Sequence, residues 1–145
     1  MSKNRSQKSI ARFGRLKSES GQALVEMALT LVLFVLLVFG ILDAGRLIWS
    51  YSVVSNAARE AVRYAIVRGE NSGDDREATA GEIETIARQT AIGLTPLEVN
   101  VSWDPDNEPG STVRVQVAYD FRPGVNLYTF TSIRLASVSE MVISR

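Results

Sequence analysis

Apolar and polar positions fall into distinct patterns along the chain, and the first is the most uniform. Met27–Leu42 (MALTLVLFVLLVFGIL) carries no charge, and Thr30 is its only polar side chain. At about 1.5 Å per residue this run covers roughly 24 Å, slightly less than a ~30 Å bilayer core. With Ala23–Val25 before it and Leu47, Ile48 and Trp49 after it, the element becomes long enough to span, over about residues 27–49. Trp49 and Tyr51 fall where an interfacial aromatic belt belongs. A buried core helix would read the same way over so short a run, but a 145-residue chain has little else to bury so uniform a helix.

A helical period follows directly. Val54, Ala57, Ala58, Ala61, Val62, Ala65 and Ile66 recur at three- and four-residue steps, which is one face of an amphipathic helix, with Arg59, Glu60 and Arg63 on other faces. No proline stands between Gln22 and Arg68. One helix over 22–68, near 65–70 Å, is therefore the simplest reading. Gly40 and Gly45 are candidates for a bend or for close helix approach through a small-x-x-x-small contact. Asp43 with Arg46, and Glu60 with Arg63, have the i, i+3 spacing of local ion pairs.

Gly69-Glu-Asn-Ser-Gly-Asp-Asp75 reads as a turn, with Gly69 as the residue that ends the helix. Its acids are oxygen ligands of the kind calcium takes, but their spacing does not match an EF-hand loop, and a solvated surface loop is the expectation. A second helix is predicted over Arg76–Ile92, with Ile83, Ile86, Ala87 and Thr90 on one face and Gly93 and Pro96 closing it. Beyond that the period becomes two. Val99, Val101 and Trp103 alternate with polar residues, then Val113, Val115, Val117, Tyr119 and Phe121 do so after the turn Asp104–Gly110. A third strand is expected around Ile133–Ile143 after a loop through Tyr128. The fold class is α+β. A long N-terminal transmembrane and packing helix and a shorter second helix accompany a small antiparallel sheet. Three parts result: a basic leader over 1–21, the continuous helix over 22–68 and an α+β head over 69–145.

Charge changes this picture in one respect. The chain holds 16 basic and 16 acidic residues, yet residues 1–21 carry a net +5 and the remainder −5. Lys3, Arg5, Lys8, Arg12, Arg15 and Lys17 all precede the span. By the positive-inside rule the N-terminus is cytoplasmic and the head faces outward. A basic tail on an acidic body is not the footprint of a nucleic-acid binder. A cleaved secretory signal fits poorly. The apolar run is longer than usual, Asp43-Ala44-Gly45-Arg46 is a weak cleavage site, and the helical pattern runs on past it.

There are no cysteines and no histidines. That excludes Cys-based zinc sites, disulfides, His-ligated metals and Ser–His–Asp or Cys–His nucleophiles. No acidic pair stands in a pocket-forming context, and Gly69–Gly73 lacks the lysine of a phosphate loop. The chain is not expected to be an enzyme or to need a cofactor or metal. Glu26 is the one conspicuous chemical group, a carboxylate at the start of the apolar run with no base within residues 22–30. A charge there is a functional-site candidate, unless it only marks the cytoplasmic interface, where it costs little.

Gly21-Gln22-Ala23-Leu24-Val25-Glu26 resembles the processing site of pilin-like proteins, which a prepilin peptidase cuts after the glycine, leaving glutamate fifth in the mature chain. The longer stretch from Gly21 through Phe39-Gly-Ile-Leu-Asp-Ala-Gly-Arg46 to Asn56-Ala-Ala-Arg-Glu-Ala-Val-Arg-Tyr-Ala65 is similar to the TadE-like family, minor pilins or pseudopilins of the tight-adherence (Flp) pilus machinery. Met27 departs from it, since many relatives carry an aromatic there. The resemblance implies cleavage between Gly21 and Gln22, a pilin-like fold, and residence in the bacterial cytoplasmic membrane with possible incorporation into a pilus. It implies prepilin peptidase, other pilins or pseudopilins and an inner-membrane platform as partners, alongside membrane lipid, in a homo- or hetero-oligomer. It also implies a role for Glu26, the assembly residue. Cleavage frees an α-amine at Gln22; within one chain its pair with Glu26 is strained, whereas a neighbouring subunit's Glu26 neutralises it. A single-pass anchored binding module, a sensor or adhesin head, predicts the same span and head but not the Gly21/Glu26 spacing.

Overall fold

A computed structural model describes residues 4–69, 78–124 and 132–144, with side chains from Ser20 onward. Helix α1 runs over Asn4–Ile66, α2 over Ala80–Thr90, and strands β1, β2 and β3 over Leu97–Asp104, Thr112–Phe121 and Ile133–Val142. The helix, shorter helix and antiparallel sheet are the α+β arrangement expected. The chain divides into two compact units, residues 1–42 and 43–145.

The first unit is helix throughout its described length. It starts well before Gln22, and Gly21 lies inside it. One glycine costs a helix only about 1 kcal/mol, which its neighbours offset. From Ser20 to Leu42 every side chain is exposed, among them Leu24, Met27, Leu33 and Phe34.

The second unit holds the core. The sheet order is β1-β2-β3, antiparallel throughout. Val99 faces Val117 and Val101 faces Val115 in register, and Tyr119 faces Leu135 on the other side of the central strand. Because strand side chains alternate, Val113, Val115 and Val117 all point to one face, and all three are fully buried. Against that core pack Val54, Ala57, Ala58, Ala61, Val62 and Ala65 of α1, with Ile83 and Ala87 of α2. Small side chains on the α1 face leave room for the valines to seat between them. The other sheet face is charged. Arg114 bonds Glu140, its register partner, at 2.7 Å. Arg134 reaches from β3 to Glu98 of β1 over buried Ala118.

Both ends of the 43–66 stretch of α1 are tied to the sheet. At one end the Gly124 N–H, just past β2, donates to Asp43 Oδ1 at 3.0 Å. At the other the N–H and hydroxyl of Ser144, just past β3, both donate to the Ile66 carbonyl, at 3.1 and 3.0 Å. The lengths match: twenty-odd helical residues rise about 35 Å, and a ten-residue strand covers roughly 33 Å.

Several expectations need adjusting. Helix α1 ends at Ile66, and Gly69, expected to close it in a left-handed conformation, does not; the described glycines with positive φ are Gly93 and Gly110. Ser144 supplies the cap instead. Helix α2 begins at Ala80 because Thr79 caps it, accepting the Glu82 N–H while the Glu82 carboxylate accepts the Thr79 N–H. Ile86 and Thr90 are only half-buried; Ile83 and Ala87 carry the face. The Asp43–Arg46 pair forms at 3.1 Å. Glu60 and Arg63 do not pair and are both exposed, as suits residues whose gain would be a few tenths of a kcal/mol. The side chains of the basic leader, the acids at 70–75 with the calcium reading weighed there, and Tyr128 lie outside the described residues.

Candidate functional site

Gln22, Glu26 and Thr30 recur every four residues and so share one face of α1. Thr30 is satisfied within the helix, its hydroxyl donating to the Glu26 carbonyl at 2.8 Å. The Glu26 carboxylate is exposed and, among the described residues, has no ion-pair partner. Around it stand Leu24, Val25 and Met27, each more than 60% exposed. Keeping one such side chain in water forgoes about 1.5–3 kcal/mol, so a run of more than a dozen requires lipid or other helices around it. A lone carboxylate inside that cover has to be neutralised, by a cation or by a proton.

Gly21 is exposed, and a Cβ there would meet nothing within 4 Å. The same holds at Gly40 and Gly45. Among the described residues neither one is crowded, so their lack of a side chain serves no contact there. Gly21, Gln22 and Glu26 lie within two turns of each other; Gly40 and Gly45 lie four or more turns further along.

Two features escaped the sequence reading. Asp43 and Arg46 form more than a local pair: Asp43 also accepts from Gly124, and the Arg46 guanidinium lies 5.6 Å from the Phe121 ring centroid. A Cβ at Gly124 would stand 3.3 Å from both Arg46 Nη1 and Asp43 Oδ1, so the glycine lets the backbone come close. The second is Trp49, whose Cη2 lies 3.7 Å from where a Gly93 Cβ would be. Pairings this far apart in the chain, 81 residues for Asp43 and Gly124, leave no local pattern; the only sequence signal was a glycine after a Pro in one case and after a helix in the other.

The head offers little else. A recess of about 60 Å³ beside Pro96, Glu98 and Arg134 is far below the ~300 Å³ at which small-molecule pockets begin. Among the described residues no three acids group to hold a metal. In the β1–β2 turn, Asp106 accepts from the Ser111 hydroxyl and the Glu108 N–H, which hold its carboxyl below the usual aspartate range. Asp106 itself is exposed, and this is local turn chemistry.

No curated protein and no solved structure matches the chain. Residues 21–63 match the family model described as TadE-like protein, so the segment that begins at Gly21 and contains Glu26 is similar to that family and associates the chain with the tight-adherence pilus system.

Proposed function

We propose that the chain is a minor pilin or pseudopilin of a tight-adherence pilus, processed between Gly21 and Gln22 and then assembled through Glu26. The observation that carries this reading is the Glu26 carboxylate, without an ion-pair partner among the described residues, on an exposed apolar helix whose sequence matches the TadE-like model from Gly21 onward. Before cleavage the +5 leader holds the N-terminus at the anionic inner leaflet, at about 1 kcal/mol per basic residue. Cleavage removes that attraction and creates an amine at Gln22. In a stack of subunits the amine of one neutralises Glu26 of the next, fixing axial register. Such a pair adds little net stability, yet losing one member strands a charge at a cost of about 3–5 kcal/mol. Its partners are then the peptidase, other pilins and the membrane platform, and its role is structural.

The open surroundings of Gly21 make the test sharp. A Cβ at Gly21 stands in open space, and leucine favours helix over glycine. Lost processing therefore reports the peptidase and not misfolding. Intact mass of the membrane-extracted protein should begin at Gln22 in the parent and at the leader in Gly21→Leu. Glu26→Ala should be processed, inserted and excluded from pili. A parent that keeps its leader, or Glu26→Ala assembling at the parental level, overturns the reading and leaves an anchored monomeric module.

A further inference from the structure

The bond assigned to the peptidase, between Gly21 and Gln22, lies inside a helix. Helix α1 starts at Asn4 and runs unbroken through both residues. The bond is thus more than four turns from the helix start, and fraying, which is confined to helix ends, does not reach it. In an α-helix each N–H bonds the carbonyl four residues before it. The N–H groups of residues 22–25 and the carbonyls of residues 18–21 therefore bridge the bond. Hydrolysis adds water across its C–N bond, leaving a carboxylate on Gly21 and an amine on Gln22. A peptidase grips the main-chain N–H and C=O groups of its substrate, and here the helix already holds them.

The sequence is weakest as a helix at this spot. Residues 18–22 read Ser-Glu-Ser-Gly-Gln; glycine is the poorest helix former after proline, and serine ranks below alanine and leucine. Downstream, the apolar run Met27–Leu42 belongs in lipid, which offers no hydrogen bonds to a broken backbone, so the helix there stays closed. Gly21 stands six residues before Met27, a rise of about 9 Å. That distance puts the weak stretch at the wet edge of the bilayer, where water takes up freed backbone groups.

We infer that α1 unwinds over residues 18–25 before it is cut, and that the helix-poor stretch around Gly21 sets how often it opens. The inference rests on the processing reading and adds what governs its rate. When opening and closing outpace cleavage, proteolysis follows the population of the open form. Gly21 then serves by weakening the helix as well as by fitting the peptidase. Gly21→Leu alters size and helix preference together, so its neighbours separate the two.

Full-length parent, Ala23→Ser, Ala23→Gly, Ser18→Ala and Ser18→Gly are presented in detergent micelles to a purified prepilin peptidase. Mass spectrometry reads kcat/KM for the appearance of the Gln22 N-terminus. Ala23 is exposed, so replacing it disturbs no packing. Helix preference falls in the order Ala, Ser, Gly, whereas side-chain size rises in the order Gly, Ala, Ser, so the two causes rank the variants differently. Opening predicts cleavage about fivefold faster in Ala23→Gly and about twofold faster in Ala23→Ser. It predicts about twofold slower cleavage in Ser18→Ala and about twofold faster in Ser18→Gly. Without peptidase, amide-exchange protection over residues 22–25 should shift by matching factors. Rates that follow side-chain size at both positions, or that stay level while protection shifts, overturn the opening step and leave processing intact. Protection that these substitutions do not move overturns it as well. A parent that is not cut between Gly21 and Gln22 removes the processing reading and this inference together.

Discussion

Replacing Asp43 asks what holds one end of the sheet to α1. Its side chain is 19% exposed and Arg46's is 59% exposed, so the ion pair is wet on one side and contributes about 0–1 kcal/mol. The Gly124 N–H bond to the carboxylate is charge-assisted. Such bonds contribute roughly 1.5–3 kcal/mol, toward the low end near a surface like this one. Asp43→Ala removes both and leaves the Gly124 N–H without its acceptor, for a local loss of about 2 kcal/mol, a ~30-fold change in an opening equilibrium. Asp43→Asn keeps an acceptor and loses the charge, so it should cost about 1 kcal/mol or less. Amide hydrogen exchange on the full-length protein in detergent micelles reads this directly, in the peptide containing Phe121–Gly124. Exchange there should quicken about tenfold or more in the alanine variant and only several-fold in the asparagine one. Unchanged exchange in Asp43→Ala would refute the tie. Equal acceleration in both variants would reverse the ranking and make the Arg46 pair the larger effect.

Two further outcomes test the head. Ala61 is fully buried against the sheet, so Ala61→Leu should overpack that contact and lower stability by about 1–3 kcal/mol; urea unfolding followed by tryptophan fluorescence checks it, and an unaltered midpoint contradicts the packing described. Asp106 has its pKa lowered in the folded turn, first by the Ser111 hydroxyl and then by the Glu108 N–H. The ionised form is thus the one the folded turn prefers: its contribution is present above the unfolded pKa and fades as pH falls through the lower folded one. Carboxyl-detected NMR should place Asp106 below the ordinary aspartate range, and Ser111→Ala should move it back up; a titration that Ser111→Ala does not move contradicts this cause.

Much of this architecture was legible because its signals are local. Five apolar residues at every second position from Val113 to Phe121 announce a strand with one buried face, and that face is the centre of the core. The alanine-rich stripe from Val54 to Ala65 similarly announced the helix face opposite. Boundaries were less legible where a specific cap decides them. The Thr79-x-x-Glu82 box, itself a recognisable motif, sets the start of α2 four residues beyond Arg76. Ser144 replaces Gly69 at the end of α1, and a contact across 78 residues has no periodicity to betray it. The candidate site divides likewise. Glu26 stands out from the cost of a carboxylate beside an apolar run, and Gly21 and Gln22 from their resemblance to a pilin processing site, whereas the Asp43–Gly124 and Trp49–Gly93 approaches depend on how distant segments fold together.

The two clamps at Asp43 and Ile66 have a mechanical consequence. A pull along this helix segment is handed to β2 through one clamp and to β3 through the other, and these neighbouring strands run antiparallel. Ladder hydrogen bonds lie perpendicular to the strands, so the pull loads them sideways and together rather than peeling them singly. Separating the helix segment from the sheet along that direction then demands the rupture of many bonds at once.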